Sequence, residues 1–200
     1  MSCDISIGRA LKCHDIVGGI NNIYFVPYGT MGTVTLDSYN RITSVSNQPN
    51  AYQFEVTRDC DLTQAVTSNA LNGSTYVEQT LRATLKQLDY ITDDVVMKLA
   101  YSKPHIIIED MNGNLYMLGY ENGNDMTTTN VVTGRAMGDL AGYQMTFVSN
   151  EKRLANYIDG TLASVGFIVI EPEDTALTWD LDEVWQTVDV NWEANYRQDL

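Results

Sequence analysis

A cysteine, a histidine and an aspartate stand in a row at Cys13-His14-Asp15, the letters of a nucleophile, a base and an orienting acid. Neighbouring side chains point in different directions, so a consecutive triplet cannot converge on one reacting atom. The second histidine, His105, opens an apolar run, and a structural place is expected for both. Three cysteines (Cys3, Cys13, Cys60) and two histidines lack the paired spacing of a zinc site. Asp110-x-Asn112-x-Asn114 with Glu121 at the twelfth place imitates the oxygen ligands of a calcium loop. Its sixth place is Leu115, where such a loop turns on glycine, and Asn112-Gly113 reads as a hairpin turn. Gly18-Gly19 and Gly29-x-x-Gly32 lack the lysine and helix context of a phosphate loop. No Gly-x-Ser-x-Gly elbow occurs. The expectation is a protein that is not an enzyme, with no metal and no cofactor.

Charge narrows the partners. The 200 residues hold 26 acids and 12 bases, a formal charge of −14. Such a chain is poorly suited to gripping nucleic acid or an anionic membrane by direct attraction. No apolar run approaches the ~18 residues of a membrane span, and MSCDISIGRALK lacks the apolar stretch of a signal peptide. Synthesis and folding in the cytoplasm are expected, with the odd, unpatterned cysteines as reduced thiols.

The elements are mostly strands. Ile23–Gly29 is a short apolar strand broken at Pro27 and Gly29. Thr33–Leu36 and Ile42–Val45 flank a turn at Asp37–Arg41. Ala51–Arg58 alternates, with Tyr52, Phe54 and Val56 on one face and Gln53, Glu55 and Thr57 on the other. Asp59–Ser74 reads as a polar connection. In Thr75–Leu88, Val77, Gln79, Leu81, Ala83 and Leu85 share a side, and Glu78, Thr80, Arg82, Thr84 and Lys86 oppose them. Leu81, Leu85 and Leu88 also fit a helical period, but the period of two covers more residues. One α-helix is expected over 92–101, capped by Thr92 and stopped by Pro104. His105–Ile108 and Leu115–Tyr120 form a hairpin about Asn112-Gly113, Glu121–Leu140 reads as a long surface loop, and Gly142–Ser149 and Gly166–Ile170 are strands. The fold class is therefore mainly β.

Composition divides the chain into a β domain over 1–170 and an acidic extension over 171–200. The extension holds nine acids, one base (Arg197) and all three tryptophans. Trp179, Trp185 and Trp192 are amphipathic rings suited to docking against another subunit, the other reading being an extension folded back on its own domain.

Three segments carry a likeness: GRALKCHDIVGGINNIYFVPYG (8–29), KPHIIIEDMNGNLYMLGY (103–120) and VTGRAMGDLAGYQMTFVSNEKRLAN (132–156). In order and spacing the chain resembles bacteriophage tail-tube-like virion proteins, including those of crAss-like phages. The resemblance implies a tail-tube-like β-sandwich or barrel. It implies a virion tail component, made in the bacterial host cytoplasm, whose identical subunits close into a ring, a hexamer by expectation. Such a ring contacts other phage tail or neck proteins and passes double-stranded DNA through its lumen without specific binding. By analogy, Ala51–Arg58 and Thr75–Leu88 would line the bore with Gln53, Glu55, Thr57, Glu78, Thr80 and Arg82, and Asp59–Ser74 would project toward the next ring. Six subunits of four bore strands make about 24, beyond the 16–18 that already leave an aqueous channel. Six copies carry 6 × −14 = −84 formally, a charge that repels the duplex, although Arg82 and Lys86 beside Glu78 make that lining mixed. Two other classes stay open: a monomeric β-sandwich module using its twelve tyrosines and three tryptophans on carbohydrate or peptide, and a metal-dependent hydrolase around Asp110–Glu121.

Overall fold

A computed structural model describes residues 8–9, 16–56 and 59–172. Ten of its elements are β1 (Ile20–Val26), β2 (Val34–Leu36), β3 (Ile42–Val45), β4 (Asn50–Glu55), β5 (Asp61–Asn69), β6 (Ser74–Lys86), α1 (Tyr90–Tyr101), β7 (His105–Asp110), β8 (Leu115–Leu118) and β9 (Asp125–Val132). They are followed by β10 (Gly142–Glu151), β11 (Asn156–Tyr157), α2 (Leu162–Val165) and β12 (Ile168–Ile170). The chain is mainly β, in several sheets, and among the described residues no barrel closes. One sheet has six strands in the order β11-β8-β7-β1-β4-β12, another has four in the order β5-β6-β10-β9, and β2-β3 is a separate hairpin.

The central six-stranded sheet is covered on both faces, which explains two unbroken apolar runs. Tyr24, Phe25 and Val26 in β1, and Ile106, Ile107 and Ile108 in β7, are all buried. A strand covered on both sides has no polar row to show. On one face Ile23, Phe25, Ile106, Ile108 and Leu118 meet Leu81, Ala83 and Leu85 of β6 and Tyr143, Met145 and Phe147 of β10, with Val96 and Leu99 of α1. On the other, Tyr24, Val26, Ala51, Ile107 and Met117 meet Ile42 and Val45 of β3 and Leu162 and Val165 of α2.

Three expectations need correction. The helix starts at Tyr90, two residues early, because Asp89 is its cap and accepts from the Ile91 and Thr92 amides; the Thr92 hydroxyl donates to that same carboxylate. A second, four-residue helix, α2, is present, capped by Thr161 and ended at the left-handed Gly166. Asp59–Ser74 and Glu121–Leu140 are not loops throughout, since β5 and β9 lie within them. Both are edge strands with little core against them, so neither shows the alternation that a half-buried strand shows.

His105 fills a structural place and is 3% exposed. Its Nδ1 lies 2.6 Å from the Gly119 carbonyl, so Nδ1 carries the hydrogen. Tyr28 stacks on the ring at 5.0 Å. Burial pushes its pKa below the ordinary histidine value, the Gly119 contact opposing. The unfolded chain protonates this residue near pH ~6.5 while the folded chain still holds it neutral. Between the lowered folded value and ~6.5 the unfolded state binds more protons, so stability falls as pH falls through that window. Thermal melts at about pH 5, 6 and 7 should show this slope, and His105→Gln should flatten it. An identical slope in the variant would refute the assignment.

Candidate assembly surface

The four-stranded sheet has one face in the core and the other open. Its two inner strands, β6 and β10, pair over ten residues, from Gly142↔Lys86 to Glu151↔Val77. The β5–β6 hairpin outruns the body. Residues 65–76 are exposed throughout, and Leu71 at the tip is 97% exposed. The tip is held locally: Asn69 Oδ1 accepts from the Leu71 and Asn72 amides at 3.0 and 3.3 Å, and Gly73 supplies the left-handed φ of +62° that ends the turn. The segment expected to project does so as a hairpin rather than as a loop.

Register assigns the open face. Glu78, Thr80 and Arg82 stand opposite Ala65, Thr63 and Asp61 on β5, and opposite Asn150, Val148 and Thr146 on β10. Thr128 and Asn130 extend the row onto β9. The row is mostly polar. Its charges are Asp61, Glu78 and Asp125 against Arg82 and Lys86, one net negative charge (2 − 3 = −1) on a chain of −14. Arg82 sits 3.4 Å from Asp61, both side chains more than half exposed, a pair worth about 0–1 kcal/mol. The face is thus mixed in charge, and the chain's acidity is not concentrated there.

The six candidate bore residues do not form one surface. Glu78, Thr80 and Arg82 share this face, but Gln53 and Glu55 lie on β4 in the other sheet. There Gln53 Nε2 donates to Asn22 at 3.3 Å, and the Asn22 amide donates to Glu109 at 2.8 Å. Tyr24 completes the patch, its pKa pushed up to about 12 by burial first and then by Glu109. Alternation alone marked β4 as open on its polar side, whereas that side carries Ala51 in the second core. Thr57 lies outside the described residues, as do Trp179, Trp185 and Trp192 and the Cys13-His14-Asp15 triplet.

The edges of the two sheets differ. The six-stranded sheet ends in β11 and β12, of two and three residues. Short terminal strands of this kind blunt an edge against further pairing. The four-stranded sheet ends in β5 and β9, of nine and eight residues. Among the described residues no strand pairs with either outer margin. Each margin also exposes a valine on its core-side row: Val66 is 61% exposed and Val131 56%. Neither residue was marked by the sequence, because an exposed valine in a polar segment has no distinguishing pattern.

Elsewhere the chemistry-bearing residues have structural work. Asp110 clasps its own hairpin: Oδ1 accepts from the Asn112 and Asn114 amides at 2.8 Å, and Oδ2 from the Asn114 side chain and the Tyr116 hydroxyl. Burial disfavours its charge, but the bonds from Asn114 and Asn112 outweigh burial and hold the carboxyl below its usual range. Glu121 instead pairs with Lys152 at 2.7 Å, so the two ends of the calcium-like spacing do not meet. Among the described residues no group of three or more His, Cys, Asp or Glu could hold a metal ion. Cys60 is buried, its thiol pKa raised by that burial. No helix among the described residues is long and apolar enough to cross a membrane. No family model matches the chain, and no curated protein or solved structure matches it significantly.

Proposed function

We propose that this chain is a structural virion protein, the ring-forming subunit of a phage tail tube, tail hub or neck that conducts genomic DNA without chemistry. The observation that carries the reading is the strand order β5-β6-β10-β9, antiparallel throughout and bounded by two long margins that are unpaired among the described residues. Four alternating strands leave β5 and β9 running in opposite directions. Rotation about a ring axis preserves each strand's direction along that axis. The β9 of one copy therefore meets the β5 of the next antiparallel, and every junction repeats the pairing used inside the subunit. A closed ring removes both margins and covers Val66 and Val131.

The dimensions fit a conduit. Six copies supply 6 × 4 = 24 strands. At a spacing of about 4.8 Å and a tilt of about 40°, 24 strands close into a barrel about 48 Å across. Side chains reaching about 5 Å inward leave a lumen of about 38 Å. The open face, with acids and bases interspersed and no net positive charge, would offer a duplex little counterion release and hence little grip. The projecting β5–β6 tip is placed to meet the adjoining ring or another tail or neck protein. On this reading the protein is made in the host cytoplasm and ends in the virion tail.

Electron microscopy of the purified protein and mass spectrometry of purified virions test the proposal together. Rings and a virion location are expected. Val66→Lys with Val131→Lys should raise the concentration for half-assembly at least about tenfold, equivalent to ~1.4 kcal/mol per junction. Both side chains are exposed, so the circular-dichroism melt should hold. Absence from virions, or rings that assemble equally well with both lysines, would defeat the reading.

A further inference from the structure

Two cavities of about 490 and 500 Å³ run into one another between α1 and the β1–β4 side of the six-stranded sheet. They share Tyr52, Phe54 and Val95. The groove exists because α1 buries Val96 and Leu99 while Val95, one position earlier, is only half-covered. Among the described residues the sheet continues past β4 only with the three-residue β12, which pairs with Asn50–Tyr52 and stops short of Phe54. Tyr28 and Tyr52 remain 52% and 42% exposed. At its far end the groove is lined by Ile170, Glu171 and Pro172, so the described chain finishes inside it.

Residues 173–200 continue from that point and hold all three tryptophans. Trp179 lies seven residues past Pro172, a reach of up to about 25 Å. The twelve-residue α1 is about 18 Å long, so the first indole can reach either end of the groove. We propose that this groove is the docking site of the chain's own 173–200 segment, with the Trp179 indole as anchor against Phe54 and Val95. The driving force is burial of aromatic surface. Charge opposes it: Glu55, Asp89 and Glu171 outnumber Lys86 and Lys98 in the groove, and the segment holds eight acids and one base. Added salt therefore tightens this docking, where it would loosen a charge-driven one. The short tether gives the segment an effective concentration of about millimolar, which favours its own groove over a neighbour's.

Indole fluorescence reads the segment directly, since residues 1–172 contain no tryptophan. In the full chain carrying Trp185→Phe and Trp192→Phe, Trp179 should emit blue-shifted and resist acrylamide quenching several-fold better than in urea. Salt should increase that protection. Val95→Arg or, more mildly, Tyr52→Ala should shift the emission red and abolish the protection without lowering the far-ultraviolet signal. Thr128→Arg, on the open face of the other sheet, should change nothing. Red emission in the parent, or blue emission that survives both groove variants, overturns the proposal. So does protection lost on about hundredfold dilution, which marks a neighbour's segment, or displacement of the indole by a glycan or peptide panel. The result is independent of ring assembly, because Val66→Lys with Val131→Lys should leave the emission unaltered.

Discussion

Phe147→Ala should cost about 3–5 kcal/mol of folding free energy and lower the melting temperature by about 8–15 °C for a chain of this size. Phe147 is fully buried in β10. Its ring lies 5.4 Å from that of Phe25 across the layer between the two sheets. Phe25 in turn stands edge-on to Phe54 at 4.9 Å. Deleting the β10 end of this row removes the aromatic contact that joins the two sheets. The cavity cannot collapse easily, because β10 is hydrogen-bonded to β6 and β9 on its two sides and Phe25 is carried by a strand paired on both of its sides. Total stability for a domain is about 5–15 kcal/mol, so the variant should approach the threshold of folding. Urea unfolding followed by far-ultraviolet circular dichroism is the measurement, with the midpoint expected to fall at unchanged slope. Tryptophan emission would not serve, since every indole lies in the C-terminal extension. Phe147→Leu should recover more than half of the loss. A cost under ~1 kcal/mol for the alanine variant, the range of an exposed site, would mean that the two sheets do not pack face to face here.

That row was half legible in the sequence. Tyr143, Met145 and Phe147 alternate against Gln144, Thr146 and Val148, and the structure buries the first three as the alternation requires. The same holds for Val77, Leu81, Ala83 and Leu85 on β6. The hairpin of β7 and β8 was legible because Asn112-Gly113 supplies the left-handed turn, with Gly113 at a φ of +77°. What failed has one physical cause. Alternation reports contact with a core, and it falls silent where a strand has a core on both faces or on almost none. β4 misled because its polar-looking row carries Ala51 into a second core that sequence could not announce. β5 and β9 were missed because little apolar core lies against them, chiefly at Leu62 and Met126. These two strands form the candidate assembly margins, so the surface proposed for function is the part least visible to pattern. The partner strand that would give it an alternation to obey belongs to another copy of the chain.

Gln79 was visible as an anomaly, a polar residue on the apolar side of β6, and replacing it tests the anomaly. It is 1% exposed. Its Oε1 accepts from the Gly119 amide at 3.0 Å, and its Nε2 donates to the Arg153 carbonyl at 3.2 Å. One side chain thus ties the four-stranded sheet to the end of β8 and to the connection after β10. Gly119 is itself constrained: its φ is +63°, its carbonyl faces His105, and a Cβ there would collide with the Asn124 side-chain amide. Gln79→Leu keeps the volume roughly constant and leaves an amide and a carbonyl without partners. The orphaned Gly119 amide is buried and costs about 1–3 kcal/mol, and the Arg153 carbonyl, only partly buried, costs less, so a loss of about 1–4 kcal/mol is expected. Thr80→Val, one residue along and facing outward, should stay within about 0.5 kcal/mol. Hydrogen exchange separates this account from a general loss of packing. The Gly119 amide should be accelerated in Gln79→Leu at least about tenfold more than the amides paired between β1 and β7, whose protection falls only with the variant's global stability. Equal acceleration at both places would reduce Gln79 to a space-filling residue, and the physical reason for a polar side chain on an apolar row would have to be sought in some other partner.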